Sequence, residues 1–357
     1  MKILHVVGAR PNFMKLAPCA RAIARVDGVR QVIVHTGQHY DDAMSDAFFR
    51  DLAIPQPDIN LEVGSSSHAV QTARIMERLE PVVLKDRPDW VVVYGDVNST
   101  AAAALVCAKI GVRLAHVEAG LRSGDRSMPE EINRLVTDRL ADLLLTPSRD
   151  GDSNLAREGV SPERIKFVGN VMIDTLLFSL PAARACGFRS SLGLKEGEYV
   201  LVTIHRPSNV DLPQRLSAIA AALGSIARRM PVIFSVHPRT RSRFRDVDLA
   251  SLERVILLEP IGYNEMLDLT VGARVVITDS GGLQEETTAL GVPCLTLRDN
   301  TERPITIAEG TNRLVTDPRD LEALALASRR RTTAKRPEGW DGRAGERVAA
   351  ALMNGAR

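Results

Sequence analysis

Short apolar runs rich in valine, isoleucine and leucine recur along the whole chain, and most are followed by a turn and a helical pattern. Runs of this kind, bounded by turn residues, are typical of buried strands. Strands that alternate with helices pair in parallel, so we predict an α/β fold built from doubly wound parallel sheets. The predicted strands are residues 3–7, 32–36, 90–93, 114–117, 165–170, 199–204, 232–236, 255–258, 275–277 and 294–297.

The length of the chain, 357 residues of which 45% are apolar, is sufficient for two domains with separate cores. We predict a Rossmann-like N-terminal domain at residues 1–170 and a second Rossmann-like domain at 171–338. A C-terminal helix at 339–357 is expected to pack back on the first domain. Two such domains, with the carboxyl ends of their strands facing across a cleft, form the glycosyltransferase-B fold.

Composition excludes several classes of function. The net charge is +2, the only basic block is residues 329–331, and aromatic residues are few, so no nucleic-acid partner is expected. The scattered Cys19, Cys107, Cys186 and Cys294 predict neither a metal site nor disulfides. The first apolar run is too short for a signal peptide or a membrane span. We therefore expect a cytoplasmic protein without membrane association.

The strongest ligand-binding pattern begins at Asp279, directly after an apolar strand. Ser280, Gly281 and Gly282 follow, and a helical pattern then runs to a C-terminal cap at Gly291. Glycines let a ligand approach the backbone, and a helix N-terminus offers free N–H donors and a partial positive charge. The pattern predicts a phosphate-binding turn, although a glycine turn that merely joins strand to helix is the alternative.

Polar residues also follow strands in the first half. Arg10 and Lys15 lie in the turn after the first strand, where two cations could meet a diphosphate or serve only as surface charge. That turn lacks the dinucleotide fingerprint, which argues against NAD and leaves no cofactor indicated. Asp96 and Glu118 follow two neighbouring strands, and His205 ends a strand in the second half. The carboxyl ends of strands are where ligands bind in open α/β sheets.

A third acid, Glu130, has two interpretations. Ser127 three residues earlier and Pro129 form a capping-box pattern, in which Glu130 would only satisfy a backbone donor. Alternatively, Glu130 belongs to a site with the other two acids. Arg134, one turn later, could pair with it. The predicted buried face of this helix consists of Ile132, Leu135, Val136, Leu140 and Leu143.

A series of motifs extends over nearly the whole chain, and their order is highly specific. Together they resemble the non-hydrolysing UDP-N-acetylglucosamine 2-epimerases. The motifs are Gly8-Ala9-Arg10-Pro11 with Lys15, Tyr94-Gly95-Asp96, Val117-Glu118-Ala119-Gly120-Leu121-Arg122, Pro129-Glu130-Glu131-x-Asn133-Arg134, His205-Arg206, Asp279-Ser280-Gly281-Gly282-x-Gln284-Glu285-Glu286, Thr301-Glu302-Arg303-Pro304 and Trp340-Asp341-Gly342-Arg343-Ala344.

The resemblance implies a homodimeric enzyme that interconverts UDP-GlcNAc and UDP-ManNAc without NAD. UDP would be eliminated to give 2-acetamidoglucal and then added back with the opposite C2 configuration. It also implies that the second domain binds UDP, with Glu286 on the ribose and Arg303 on the nucleotide-sugar. No metal is implied. By matching motifs, the catalytic residues are Asp96, Glu118, Glu130 and His205, and the UDP-sugar-binding residues are Arg10, Lys15, Arg122, Arg134, Asn209, His237, Ser280, Gly281, Gly282, Glu286 and Arg303.

Two segments depart from the pattern of the family. Pro207-Ser208 replaces a residue pair that reads x-Glu in many relatives, and Met44 stands one residue late after Gln38. In bacterial relatives this second region helps to bind an activating UDP-GlcNAc, so we expect an enzyme that needs no activator. A modified substrate such as a 2,3-diacetamido uronic acid, a hydrolysing epimerase, a glycosyltransferase and a non-catalytic nucleotide-sugar binder remain alternatives.

Overall fold

A computed structural model describes residues 1–38, 52, 54–244, 252–330 and 336–355, apart from the side chain of Arg10. The sequence also predicts a helix around residues 43–52. This helix and the segment with Met44, which departs from the family pattern, lie outside the described residues, except for Leu52. By its internal contacts the chain divides into two units. Unit 1 comprises Met1–Phe178 and Glu338–Arg357, and unit 2 comprises Ser179–Pro337.

Unit 1 contains a parallel sheet with strand order β3-β2-β1-β4-β5-β6-β7 among the described residues. The direction of strand order reverses between β1 and β4, so the ligand-binding switch point lies at their carboxyl ends. The central strands are buried over their whole length, which explains their continuous apolar sequence. The strands are β1 (Lys2–Val7), β2 (Arg30–His35), β3 (Ile59–Asn60), β4 (Trp90–Tyr94), β5 (Leu114–Val117), β6 (Leu143–Thr146) and β7 (Ile165–Phe167).

Unit 2 repeats this topology, with strand order β10-β9-β8-β11-β12-β13 among the described residues. Its switch point lies between β8 and β11. The strands are β8 (Val200–Thr203), β9 (Val232–Ser235), β10 (Val255–Leu258), β11 (Val275–Thr278), β12 (Cys294–Thr296) and β13 (Asn312–Leu314). Both sheets are parallel throughout the described pairings, and the predicted class of two Rossmann-like α/β domains is confirmed.

Helices connect the strands in both units. Those that begin in unit 1 are α1 (Arg10–Ile23), α2 (His68–Asp86), α3 (Asn98–Ile110), α4 (Pro129–Leu140), α5 (Arg149–Arg157) and α6 (Val171–Cys186). The last of these, α6, continues into unit 2. Those of unit 2 are α7 (Phe188–Ser191), α8 (Pro207–Val210), α9 (Pro213–Ala227), α10 (Pro238–Arg243), α11 (Tyr263–Gly272), α12 (Gly281–Leu290), α13 (Ile305–Ala308) and α14 (Leu321–Ala327). The final helix, α15 (Ala344–Asn354), belongs to unit 1.

The start of α15 lies against α1 and α6. Ala344 and Gly345 donate their backbone N–H groups to the carboxylate of Asp174 on α6, at 3.1 and 2.7 Å. A Cβ on Gly345 would lie 2.6 Å from the carbonyl oxygen of Pro18 on α1. Glycine is therefore required for this approach, and the helix packs on unit 1.

The predicted apolar face of α4 is wrong. Its buried residues are Glu131, Arg134, Thr137 and Asp138, whereas Ile132 is 38% exposed. Leu143 lies in β6, a strand that the sequence reading had merged with the helix. A helix can bury a polar face when other elements supply hydrogen-bond partners, and an apolar-periodicity argument does not detect that case.

One helical stretch among the described residues, Val171–Ser191, is long and apolar enough to cross a membrane by length and composition alone. Core helices of soluble proteins meet the same two criteria, and 44% of the most apolar 18-residue window in this stretch is buried.

Candidate functional site

Asn12 connects the two strand ends at the switch point of unit 1, a role that its position in the sequence did not indicate. Its Oδ1 accepts hydrogen bonds from the backbone N–H groups of Gly8 and Ala9, both at 3.1 Å. Its Nδ2 donates to the carbonyl of Tyr94 at 2.8 Å. Asn12 thus ties the turn after β1 to the end of β4 and fixes where the next residues of β4 emerge.

Lys15 and Glu118 form a buried ion pair at this edge. Lys15 Nζ lies 2.9 Å from Glu118 Oε1, and the two residues are 5% and 4% exposed. Gly95 leaves room for the ammonium group, because a Cβ there would lie 2.5 Å from Nζ. Glu118 adopts φ +75°, a left-handed conformation that costs a non-glycine residue about 1–3 kcal/mol. Strain of this kind concentrates at functional sites.

Asp96 lies beside a second cation, Arg134. The Arg134 guanidinium donates to Asp96 and, at 2.8 Å, to Glu131. The expected pairing of Arg134 with Glu130 is therefore wrong. Burial opposes ionisation of Glu131, but hydrogen bonds from Ser123 and Arg134 outweigh it and lower the pKa of Glu131.

Glu130 itself is exposed at the first turn of α4. The N-cap of α4 is Met128, and no side chain caps the helix. Ser127, the expected cap, donates its hydroxyl to Asp125 instead. The capping-box interpretation of Glu130 is therefore wrong, and its carboxylate is exposed one turn before Arg134.

Arg122 was predicted to bind the UDP-sugar, but the structure engages it within unit 1. Its Nη1 lies 2.7 Å from Asp138, and its Nε and Nη2 donate to Glu158 at 2.7 and 2.8 Å. Burial opposes its charge, but the hydrogen bond with Glu158 and the charge of Asp138 raise the pKa of Arg122. Asp138 also contacts His116, a buried histidine that sequence reasoning missed.

In unit 2 the turns after β8 and β11 meet at the fully buried carboxylate of Asp279. It accepts the backbone N–H groups of His205 and Arg206 and the side-chain amide of Asn209, at 2.8–3.1 Å. His205 Nδ1 lies 3.0 Å from Oδ1. Burial opposes ionisation, but the contact with His205 outweighs it and lowers the pKa of Asp279. The carboxylate thus fixes Nδ1 as a donor and leaves Nε2 as the acceptor when the ring is neutral.

Asn209 was predicted to bind the substrate, but its side chain is committed to protein partners. Its Nδ2 donates to Asp279 and, at 2.9 Å, to the carbonyl of Leu297, while its Oδ1 accepts from Arg215 at 2.8 Å. Asn209 therefore positions Asp279. His237 lies beside His205, with ring centroids 5.4 Å apart and the ring planes tilted by 37°. Burial, followed by the charge of His205, lowers the pKa of His237.

The predicted phosphate turn opens α12. Ser280 is the N-cap, no side chain caps the helix, and Gly281 and Gly282 are its first two residues. A Cβ on Gly281 would lie 2.6 Å from Arg303 Nη1, so glycine lets the backbone and the guanidinium approach. Arg303 in turn contacts Glu285 at 3.0 Å. An uncapped N-terminus beside a guanidinium is suited to bind phosphate oxygens.

Neighbouring charged groups support this turn. Glu302 contacts Arg303 and, at 2.7 Å, Arg298. Burial opposes ionisation, but these two guanidinium groups hold the pKa of Glu302 well below its usual range. Glu286, expected on the ribose, is buried and accepts from the Tyr263 hydroxyl at 3.0 Å. Within the described part of the chain, no group of three or more His, Cys, Asp or Glu could hold a metal ion.

Comparison with known proteins gives concordant matches. A family model described as UDP-N-acetylglucosamine 2-epimerase matches residues 21–353. The UDP-N-acetylglucosamine 2-epimerase of Methanocaldococcus jannaschii is 41% identical over 99% of this chain and 100% of its own length. The UDP-2,3-diacetamido-2,3-dideoxy-D-glucuronate 2-epimerase of Pseudomonas aeruginosa is 44% identical over 90% of each chain. A crystal structure of the M. jannaschii enzyme in complex with UDP-GlcNAc and UDP superimposes with a TM-score of 0.91 at 41% identity, covering 99% of this chain and 100% of that one.

Proposed function

Because this chain belongs to the UDP-N-acetylglucosamine 2-epimerase family, we propose that it interconverts UDP-GlcNAc and UDP-ManNAc by eliminating UDP and adding it back. The observation that carries the proposal is the arrangement after β4 and β5. Asp96 and Glu118 follow adjacent parallel strands, and each lies beside its own cation, Arg134 and Lys15. Paired carboxylates at one sheet edge are what proton transfer at a sugar carbon requires.

The chemistry also requires stabilisation of the leaving group. The C2–H bond is not acidic, because no carbonyl activates it, so its proton leaves only as the C1–O bond to UDP breaks. Negative charge then grows on the diphosphate. The uncapped N-terminus of α12, opened by Ser280 and Gly281, and the adjacent Arg303 would stabilise that charge. His205 can donate to the same oxygens when its Nε2 is protonated.

The proton at C2 must leave from one face and return on the other. Asp96, Glu118 and Glu130 are our candidates for these two steps, and they all belong to unit 1. Glu118 and Asp96 occupy fixed positions beside their cations, whereas Glu130 is exposed. The predicted homodimer and cytoplasmic location stay predictions.

A second substrate is favoured by one comparison. The P. aeruginosa relative, which acts on a UDP-2,3-diacetamido-2,3-dideoxy-D-glucuronate, is 44% identical, slightly more than the UDP-GlcNAc epimerase from M. jannaschii at 41%. The two substrates share the C2 acetamido group and the UDP leaving group, so the same acid–base residues would serve both.

The test is incubation of the enzyme in deuterated water with each UDP-sugar in turn. Deuterium at C2 of an intact UDP-sugar in both configurations supports the proposal and identifies the substrate. Release of free ManNAc with UDP would indicate a hydrolysing epimerase. If neither substrate gains deuterium or loses UDP, the proposed function is wrong.

A further inference from the structure

His116 is a fully buried histidine in the middle of β5, and both of its ring nitrogens have partners. Nε2 lies 2.7 Å from the carbonyl oxygen of Gly95, and Nδ1 lies 2.6 Å from Asp138 Oδ1. Gly95 immediately precedes Asp96. The ring therefore bridges from helix α4 to the turn that carries one of the candidate acid–base groups.

The partners determine the protons on the ring. A carbonyl oxygen can only accept, so Nε2 must carry hydrogen. The carboxylate of Asp138 contacts the ring of His116, the guanidinium of Arg122 at 2.7 Å and the backbone N–H of Gly120 at 3.0 Å. It therefore also acts as an acceptor. Burial opposes its ionisation, but the charge of His116 outweighs this and lowers the pKa of Asp138. The two ring nitrogens thus face two acceptors, the carbonyl oxygen of Gly95 and the carboxylate of Asp138.

Asp138 also contacts the turn that carries Glu118, because it accepts the backbone N–H of Gly120. The backbone at Glu118 has φ +75° and that at Gly120 has φ +82°. Such a turn persists only when the surrounding structure holds it. Besides the bond from Gly120 to Asp138, the N–H groups of Glu118 and Ala119 donate to the carbonyl of Leu145 at 3.0 and 3.2 Å.

We propose that the buried, hydrogen-bonded pair His116–Asp138 is a positioning device that holds the turns of Asp96 and Glu118 in fixed register, His116 acting on the first through Gly95 and Asp138 on the second through Gly120. The pair contacts the backbone of both turns, at Gly95 and Gly120. Its catalytic consequence rests on the proposed function of these two acids, whereas its effect on the two turns does not.

Two substitutions separate the contacts of the ring. An asparagine amide can replace Nδ1, so His116→Asn keeps a donor to Asp138 and loses the bond to Gly95. A glutamine amide reaches the position of Nε2, so His116→Gln keeps the bond to Gly95 and loses Asp138. Displacement of a reacting group by about 1 Å can cost about 100-fold in rate. We expect each variant to lower kcat roughly 10- to 100-fold while KM changes less than about threefold.

His5 provides a matched control. It is equally buried in β1, its ring contacts Tyr94 Oη at 2.7 Å and Gln31 Oε1 at 3.0 Å, and burial lowers its pKa to about 4. His5→Gln should lower the melting temperature but leave kcat within about threefold, because no acid-bearing turn depends on its ring. Equal losses of kcat in the His5 and His116 variants would overturn the proposal.

A readout independent of activity completes the test. Nuclear magnetic resonance of the full chain provides this readout at the two turns. The amide signals of Gly95 and Asp96 should shift in His116→Asn more than in His116→Gln, and Gly120 should shift in the reverse order. Signals at these turns that stay unchanged in both variants would refute the proposal. If the wild-type protein shows no C2 exchange while these signals behave as expected, only the proposed function fails.

Discussion

Protonation of Asp174 should control how stably the final helix is held on unit 1. Asp174 is 7% exposed and accepts the first two backbone N–H groups of α15. Burial raises its pKa from 3.8 to about 6, although the bonds from Gly345 and Ala344 favour the ionised form. The folded state therefore binds this proton more tightly than the unfolded state does.

The sign of the pH dependence follows from this difference. Between pH 3.8 and about 6 the folded protein holds more protons at this site, so the free energy of unfolding falls as the pH rises through the interval. Below the interval the group is protonated in both states and has no effect. Across this interval the free energy of unfolding falls by about 3 kcal/mol, since a difference of one pKa unit corresponds to about 1.36 kcal/mol. This loss of stability is complete at neutral pH.

Asp174→Asn mimics the protonated group and removes the titration. Urea unfolding followed by tryptophan fluorescence is the suitable assay, because the chain has 2 tryptophans and both, Trp90 and Trp340, are buried in unit 1. We expect the variant to gain stability over wild type by up to about 3 kcal/mol as the pH rises from 4 to 7. Glu338→Gln serves as the control. Its partner Arg149 lowers the pKa of Glu338 below the ordinary value of 4.5, so this contact becomes more stabilising as the pH rises past 4.5 and its contribution then stays constant well above that value. The difference between this variant and wild type therefore changes with the opposite sign to that of Asp174→Asn. A pH-independent difference for Asp174→Asn, or one that shrinks as the pH rises, would refute the reasoning.

Three further outcomes are expected. Asp96→Asn, Glu118→Gln and Glu130→Gln should each reduce turnover roughly 100-fold, as for general acid–base groups, with UDP affinity retained by calorimetry; normal turnover in any variant removes that residue from the mechanism. Gly281→Ala would place a Cβ 2.6 Å from a guanidinium nitrogen, so UDP should bind about tenfold more weakly, about 1.4 kcal/mol; unchanged affinity would show that this close approach does not matter for UDP. Given the altered spacing in segment 39–51, UDP-ManNAc should be converted without added UDP-GlcNAc; a lag abolished by a trace of UDP-GlcNAc would contradict this.

Much of the fold could be predicted from the sequence because both sheets are buried on both faces. Parallel strands in that setting must be continuously apolar, and the strands around residues 90–94, 114–117 and 275–278 were predicted within a residue or two. Strand β6 was missed because its apolar residues follow a helix after only two residues, Ala141 and Asp142. Periodicity alone does not separate a short buried strand from the end of a helix.

The site was predictable where side chains follow strands and less so where they support one another. Asp96 and Glu118 could be placed from strand ends alone. His116 could not, because one polar residue inside an apolar strand has no sequence signature of its own. Asp138 was missed since a polar helix face normally indicates solvent, and here it faces His116 and Gly120. Arg122 and Asn209 have residue types that bind ligands, and the structure pairs Arg122 with Asp138 and Glu158 and Asn209 with Asp279, contacts that the sequence did not indicate. Their roles in binding the UDP-sugar stay predictions.

The left-handed backbone at Glu118 has a consequence for directed evolution of this enzyme. Glycine adopts φ +75° without steric cost, so Glu118→Gly would relieve local strain and would also remove the carboxylate from Lys15. Loss of the anion beside the buried Lys15 ammonium costs about 3–5 kcal/mol, more than the strain relieved, so a screen for heat resistance should accept glycine here only when Lys15 is replaced as well. A screen for product should keep both Glu118 and Lys15. The two screens should therefore differ at these two codons together, not at codon 118 alone.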